Sequence, residues 1–128
     1  MADHLSINAP DAPQATGGYS QAVQVSGLSR LLHISGQIPV DPDGSVPVGF
    51  HAQCVLVWAN VEAQLRAASM SLDNLVKVTT FLSDRRYADE NGDIRRFVLD
   101  GRKPALTVII TGIYDVAWLL EIEAVAAA

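Results

Sequence analysis

Hydrophobic residues in the segment 50–70 recur at every third or fourth position, a spacing that places them along one side of a helix. The recurring residues are Cys54, Trp58, Val61, Leu65 and Ala68. On either side of this segment the sequence changes to alternating or β-branched apolar residues, which are typical of strands. A chain of 128 residues that carries both patterns is restricted to folds in which helices pack against a sheet. We therefore predict a single α+β domain spanning residues 1–128.

The same patterns predict the other elements. Residues 1–19, rich in proline, glycine and aspartate, predict an irregular segment. Predicted strands cover 20–26, 30–36, 75–82, 105–111 and 116–126, and predicted helices cover 50–70 and 84–98, the second capped by Asp84. The short connection between the first two strands predicts a hairpin, and residues 41–44 predict a turn. The order of elements predicts a mixed sheet with two helices on one face.

Charge and composition exclude several classes of protein. Acidic residues outnumber basic ones 14 to 9, giving a formal net charge of −5, so a nucleic-acid partner is disfavoured. The single cysteine, Cys54, excludes an intrachain disulfide and fits a reducing compartment. The N-terminus lacks the features of a signal peptide, and no apolar run reaches the roughly 20 residues that span a bilayer. We expect a cytoplasmic protein with no membrane partner.

Motifs for metals, cofactors and activated nucleophiles are missing from the sequence. His51 and Cys54 share one helix face, but a zinc site needs about two more ligands, so we predict no metal. No phosphate-binding loop, dinucleotide fingerprint or nucleophile elbow occurs, so we predict no cofactor. A nucleophilic pair of Cys54 and His51 is conceivable, but a thiol on an apolar helix face is usually inert.

Two groups of charged residues remain as candidates. Glu121 and Glu123 share one face of the last predicted strand, where each carboxylate can raise the pKa of the other; the alternative is a solvated edge. Six of the nine basic residues fall in the pairs 85–86, 95–96 and 102–103. We interpret these as solvated residues paired with nearby carboxylates, and the alternative is a basic rim for an anionic ligand or RNA.

Five segments in order resemble those of one family. They are Gly-Tyr-Ser-Gln-Ala-Val at 18–23, Ile-Ser-Gly-Gln-Ile-Pro at 34–39, Asn-Val-Glu-Ala at 60–63 with 65–82, Pro-Ala at 104–105, and Leu-Glu-Ile-Glu-Ala-Val-Ala at 120–126. The chain resembles the RidA/YjgF family of reactive-intermediate deaminases from about Ala15 to Ala126. This resemblance implies a chorismate-mutase-like fold and a homotrimer with an inner barrel of sheets and clefts between subunits. It also implies hydrolysis of 2-imino acids to 2-keto acids and ammonia without a cofactor.

The resemblance implies roles for particular residues. Tyr19 and Glu121 would be catalytic, with Glu121 positioning the attacking water. Ligand contacts would come from Gly36, Asn91, Leu106, Thr107 and Val108. Two positions depart from the family pattern: Leu106 replaces the arginine that grips the substrate carboxylate, and Gly18 stands where proline is common.

The leucine at position 106 changes the expected activity. A guanidinium binds a carboxylate through two charge-assisted hydrogen bonds, which leucine cannot make. We expect binding of a standard 2-imino acid to weaken by at least about 10²-fold. Arg102 and Lys103 are nearby in sequence, but they precede Pro104 and would need a different backbone path to replace the missing charge.

Three functions are therefore open. The chain is predicted to act on an imine, an enamine or a related C–N bond in a ligand other than a standard 2-imino acid. Alternatively, it is a non-enzymatic trimer that binds metabolites and regulates a partner, or, less favoured by its charge, a ribonuclease-type translation inhibitor.

Independent of the resemblance, the apolar run 108–110 predicts a strand buried on both faces, and two helices cover only one of these faces. The other face then needs a partner subunit.

Overall fold

The computed structural model describes residues 2–128, which form six strands and two α-helices. The strands are β1 (Asp3–Ile7), β2 (Ala22–Ser26), β3 (Leu31–Gln37), β4 (Leu75–Leu82), β5 (Ala105–Ile110) and β6 (Leu120–Ala127). The helices are α1 (Phe50–Ala67) and α2 (Ala88–Leu99), with short 3₁₀ turns at Leu72–Asn74 and Arg85–Tyr87. The α+β class and the order of elements from β2 onward agree with the sequence prediction.

Strands β3, β6, β4 and β5 form a mixed sheet in that order. Strands β4 and β5 are parallel, whereas β6 is antiparallel to both of its neighbours. Val78, Ile122 and Ala124 are buried on the face that packs against α1, and they share one hydrophobic core with Ile94 and Leu99 of α2. The side chains between them point to the opposite face, because successive residues of a strand alternate. We call these the helix face and the bare face of the sheet.

The predicted hairpin between the first two strands is wrong. Strand β2 pairs with β1 in a separate two-stranded sheet, and β3 pairs with β6. The backbone N–H groups of Ser29 and Arg30 donate to the carbonyl of Ala128 at 2.8 and 2.9 Å, which directs β3 toward the end of β6. Strand β1 lies within residues 1–19, which were predicted to be irregular. The prediction missed it because its five residues are outnumbered by the proline- and glycine-rich residues that follow.

The last strand begins at Leu120, four residues later than predicted. The buried side chain of Gln53 explains the difference, because it binds the preceding loop from two sides. Its amide donates to the carbonyl of Ala117 at 3.0 Å, and its oxygen accepts the backbone N–H of Leu119 at 2.8 Å. These bonds hold residues 117–119 in a loop, although their apolar alternation resembles that of a strand.

The second helix also begins later than predicted. Asp84 caps the preceding 3₁₀ turn, where its carboxylate accepts the backbone N–H of Arg86 at 2.9 Å, and α2 follows from Ala88. The turn predicted at residues 41–44 is present, closed by a bond from the N–H of Gly44 to the carbonyl of Asp41.

Candidate active site

Glu121 lies on the bare face of the sheet, directly over Gly36 of the neighbouring strand. A Cβ atom added to Gly36 would lie 2.7 Å from Cδ of Glu121 and 3.0 Å from its Cγ. Real Cβ atoms do not approach other atoms within 3.0 Å. The absence of a side chain at position 36 therefore provides the space that the Glu121 carboxyl group occupies.

The carboxyl group of Glu121 lines a cleft of about 250 Å³ whose other walls are mostly apolar. The walls are formed by Phe81, Thr111, Gly112, Ile113 and Tyr114. Burial in these surroundings raises the pKa of Glu121, and the negative charge of Glu123 raises it further. A raised pKa makes the carboxylate of Glu121 a stronger base, and therefore better able to take a proton from a water molecule.

Leu106 lies on the helix face of the sheet, opposite to Glu121. It pairs with Val78 of β4, which in turn pairs with Ala124 of β6. Glu121 is three residues from Ala124, so the alternation of the strand places it on the other face. Leu106 packs against the edge of the hydrophobic core. Within one protomer, the structure does not bring Leu106 and Glu121 together.

Tyr19 is half-buried at the start of β5, on a segment fixed by its neighbour Ser20. The backbone N–H of Ser20 donates to the carbonyl of Pro104 at 3.1 Å, and its hydroxyl donates to the carbonyl of Lys103 at 2.6 Å. Gly18, just before Tyr19, has a φ of +71°. Proline cannot adopt this conformation, because its ring holds φ near −65°. The glycine at position 18 therefore gives this segment a path that the usual proline would forbid.

The helix α2 brings an arginine, Arg95, against this segment. Its Nη2 donates to the carbonyl of Gly17 at 2.8 Å. A Cβ added to Gly17 would contact both this Nη2, at 3.6 Å, and the ring of Tyr19, at 3.5 Å. The side chains of Arg95 and Tyr19 thus lie on the same side of the Gly17 backbone, and Arg95 is only 6% exposed.

The remaining predicted ligand contacts are dispersed. Asn91 is buried between the helices, where its Oδ1 lies 4.0 Å from the sulfur of Cys54. Thr107 is exposed on the bare face and accepts a bond from Nζ of Lys77 at 2.6 Å. Val108 is on the helix face but 40% exposed, because it lies on the edge strand. Their roles in ligand binding remain predictions.

Cys54 and His51 do not form a nucleophilic pair. The Cys54 side chain is fully buried, and burial together with the charge of Glu90 raises the pKa of its thiol to about 12. His51 instead faces Glu90, with Nδ1 3.4 Å from the carboxylate.

Within residues 2–128, no three His, Cys, Asp or Glu side chains gather as a metal site would require. No helix in the same range is long and apolar enough to cross a membrane.

Three of the six clustered basic residues, Arg86, Arg96 and Arg102, lie within 4.0 Å of a carboxylate, so the interpretation that these residues are paired holds only in part. Arg96 binds Asp93 at 2.8 Å, and Arg102 binds Asp73 at 2.7 Å, so Arg102 is already engaged by a carboxylate. Arg85, Arg95 and Lys103 have no carboxylate partner within residues 2–128, and of these three only Arg95 is buried. Sequence analysis grouped it with Arg96 and missed that one is buried and the other solvated.

The family model described as Endoribonuclease L-PSP matches residues 9–128. The chain belongs to this family, the RidA/YjgF family. A 2-iminobutanoate/2-iminopropanoate deaminase of Mus musculus is 35% identical over 127 residues, covering 94% of this chain and 88% of the relative. The identification made from five sequence segments is thereby confirmed.

Solved structures of the family confirm the fold. The Rid-family protein YyfB from Yersinia pestis, of unknown function, matches with a TM-score of 0.85 at 26% identity and covers 98% of both chains. RidA from the Antarctic bacterium Psychrobacter sp. matches with a TM-score of 0.73 at 30% identity, covering 97% of this chain and 99% of the other. The protein therefore has the chorismate-mutase-like α+β fold of RidA proteins.

Sequence reasoning missed two parts of the site. Tyr114 and Ile113 of the loop 111–119 line the Glu121 cleft, and Arg95 lies against the Tyr19 segment. Ile113 and Tyr114 fall in the turn predicted between the last two strands, and nothing in the sequence placed that turn beside Glu121. Arg95 follows Asn91 by four residues, which puts both on one side of a helix and was a signal available in the sequence.

Proposed function

We propose that this RidA-family chain forms a homotrimer that hydrolyses an imine, an enamine or a related C–N bond in clefts between its protomers. Its ligand differs from a standard 2-imino acid because Leu106 cannot hold a carboxylate. The ligand either lacks a free carboxylate or has one that another group holds. The mouse relative, whose printed name gives 2-iminobutanoate and 2-iminopropanoate as substrates, supports the reaction class.

The observation that carries the proposal is the Glu121 cleft. A half-buried carboxyl group with a raised pKa faces an apolar cleft, and a glycine beneath it leaves room for the group. Glu121 makes no hydrogen bond to another protein group within residues 2–128, so it is available to a water molecule or a ligand. Such a group suits general acid–base catalysis of hydrolysis.

The reaction needs one water and returns one ammonia. The Glu121 carboxylate accepts a proton from a water molecule as that water adds to the carbon of the C=N bond. Glu121 passes this proton to the nitrogen, which gives a carbinolamine. As the C–N bond of the carbinolamine breaks, Glu121 takes the proton of its hydroxyl group and passes it to the departing nitrogen, so that a carbonyl forms and ammonia leaves with both protons of the water. The apolar walls on one side of Glu121 lower the local polarity and so strengthen its interaction with the developing charges.

The positions of the two halves of the site support an assembly of several protomers. Glu121 is on the bare face, whereas Leu106 and Tyr19 are associated with the other face and the edge strand β5. A small ligand that contacts both halves must therefore lie between two protomers. The 40% exposure of Ile109, on the bare face of β5, is consistent with a surface that a partner covers.

Ammonia release from imines generated in situ by amino-acid and amine oxidases tests the proposal. We expect an acceleration over spontaneous hydrolysis, with 2-imino acids turned over about 10²-fold less efficiently than by an arginine-bearing homologue. Glu121→Gln should lower the rate by at least about 10²-fold, and the matched control Glu123→Gln should retain most of it. Rates equal to the homologue's would contradict the role given to Leu106.

Two further outcomes separate the alternatives. If no imine is hydrolysed faster than in buffer but small molecules still bind, the chain is a metabolite-binding protein and the enzymatic proposal is wrong. Sedimentation of a monomer at micromolar concentration would eliminate the inter-protomer cleft. The net charge of −5 disfavours RNA as a substrate, despite the description carried by the family model.

A further inference from the structure

Arg95 differs from the other arginines of α2 and its surroundings in having a buried charge with no carboxylate partner. Arg96 and Arg102 have aspartate partners at 2.8 and 2.7 Å. Arg95 makes no ion pair within residues 2–128, although it is only 6% exposed. A buried charge without a counterion is costly, because the protein replaces only part of the hydration that the charge loses.

The hydrogen bonds of Arg95 are also incomplete. A guanidinium has five N–H donors, and the bond recorded for Arg95 runs from Nη2 to the carbonyl of Gly17. Its Nε is fully buried and has no hydrogen-bond partner within residues 2–128. Buried polar atoms without partners are rare in proteins, and each one calls for an explanation.

The backbone near Arg95 is shaped to reach the guanidinium. The φ of Gly18 sets the orientation of the peptide group that carries the Gly17 carbonyl, and its value of +71° is available to glycine and not to proline. Residues 17 and 18 have no side chains, so they present only backbone atoms to Arg95 and Arg96 of α2. Beside them, the ring of Tyr19 supplies a hydroxyl on the same segment.

We propose that Arg95 binds a carboxylate of the ligand, taking over on helix α2 the task that Leu106 cannot perform on strand β5. This inference rests on the proposed function and deepens it, because it makes the ligand an anionic imine or enamine whose carboxylate is held differently. Carboxylate oxygens are stronger acceptors for a guanidinium than a peptide carbonyl, and the planar fork of arginine matches their geometry. Burial lowers the pKa of Arg95, as does the nearby charge of Arg96, but arginine remains protonated at neutral pH.

Binding of oxo compounds, the products of imine hydrolysis, tests the inference separately from catalysis. We would measure dissociation constants for 2-oxobutanoate, for 4-oxopentanoate and for uncharged butanone with the full chain. At least one of the two acids should bind at least tenfold more tightly than butanone. Arg95→Met should remove this preference, and Arg95→Lys should remove most of it, because a lysine lacks the planar fork.

The adjacent Arg96 provides the matched control, since it is on the same helix, carries the same charge and is solvated. Arg96→Met should retain the preference for the acid. If Arg95→Met keeps the preference, or if the wild-type protein has none, the inference is overturned whatever the enzyme assay shows. If the acids bind through Arg95 but no imine is hydrolysed, the inference stands and the proposed activity fails.

A second measurement avoids substitution altogether, because Arg95→Met can lose the contact to Gly17 and unfold the segment. In the wild-type protein, the ¹⁵N–¹H signal of the Arg95 Nε should shift when 2-oxobutanoate or 4-oxopentanoate is added. The same signal should not shift with butanone. A signal that is unmoved by both acids would overturn the inference.

Discussion

Glu121, on the bare face of the sheet, and Arg95, on helix α2, each depend on a neighbouring glycine, but for different physical reasons. On the bare face, Gly36 leaves space for the Glu121 carboxyl group because it has no Cβ atom. At helix α2, Gly18 adopts a positive φ, and this backbone conformation orients the carbonyl of Gly17 toward Nη2 of Arg95. One glycine is needed for its size and the other for its backbone conformation. The comparison shows that similar sequence features can support a site through unrelated physical requirements, and each requirement can be tested by itself.

The largest effect is expected from Gly36→Ala. Position 36 has an ordinary backbone conformation, so the added Cβ is tolerated by the backbone but collides with the Glu121 side chain. Glu121 must turn away, and we expect hydrolysis of the preferred imine to fall about 10²-fold, as for the loss of a general acid–base group. Steady-state ammonia release measures the change.

The control for Gly36→Ala is its combination with Glu121→Gln. If the glycine acts only through Glu121, the double variant should be no slower than Glu121→Gln alone, because groups that act as a unit are not additive. A further tenfold loss in the double variant would show that position 36 has a role independent of Glu121.

Gly18→Ala should produce a smaller effect, on stability. An alanine at a φ of +71° costs about 1–2 kcal/mol, and its Cβ would also lie 3.2 Å from Cγ of Arg96. Urea unfolding should therefore show a loss of about 1–2 kcal/mol. The control is Gly112→Ala, where the added Cβ meets nothing within 4 Å and φ is not positive, and the change should stay within about 0.5 kcal/mol. Equal losses of stability in Gly18→Ala and Gly112→Ala would show that the positive φ of Gly18 has no special cost for alanine.

The sequence revealed local structure better than it revealed the pairing of distant segments. Strand β4, at 75–82, was predicted at its observed bounds because its run of β-branched and apolar residues is of the composition enriched in strands. The partner of β2 could not be predicted, because it depends on a contact between distant segments. The backbone N–H groups of Ser29 and Arg30, just after β2, donate to the carbonyl of Ala128 at the other end of the chain. Glu121 could be singled out because strand alternation puts it on the same face as Glu123. Arg95 and Arg96 cannot be distinguished in the sequence, because only in the folded chain does the Gly17–Gly18 segment cover Arg95 and leave Arg96 exposed.

The smallest effect expected is the pH dependence of stability from Glu121. Its pKa is raised in the folded protein, first by burial and then by Glu123, so the folded state favours the protonated carboxyl group. This contribution to stability is complete below the ordinary glutamate pKa of about 4.3 and is lost as the pH rises through the raised value. Between pH 4 and pH 7, the unfolding free energy of the wild-type protein should therefore fall relative to that of Glu121→Gln, which does not titrate. In the Glu123→Gln background the fall should be smaller, because the second cause of the shift is gone while burial remains. A fall that is unchanged in that background would assign the whole shift to burial, and a rise with pH would show that the bare face stabilises the charged form of Glu121, contrary to its apolar surroundings.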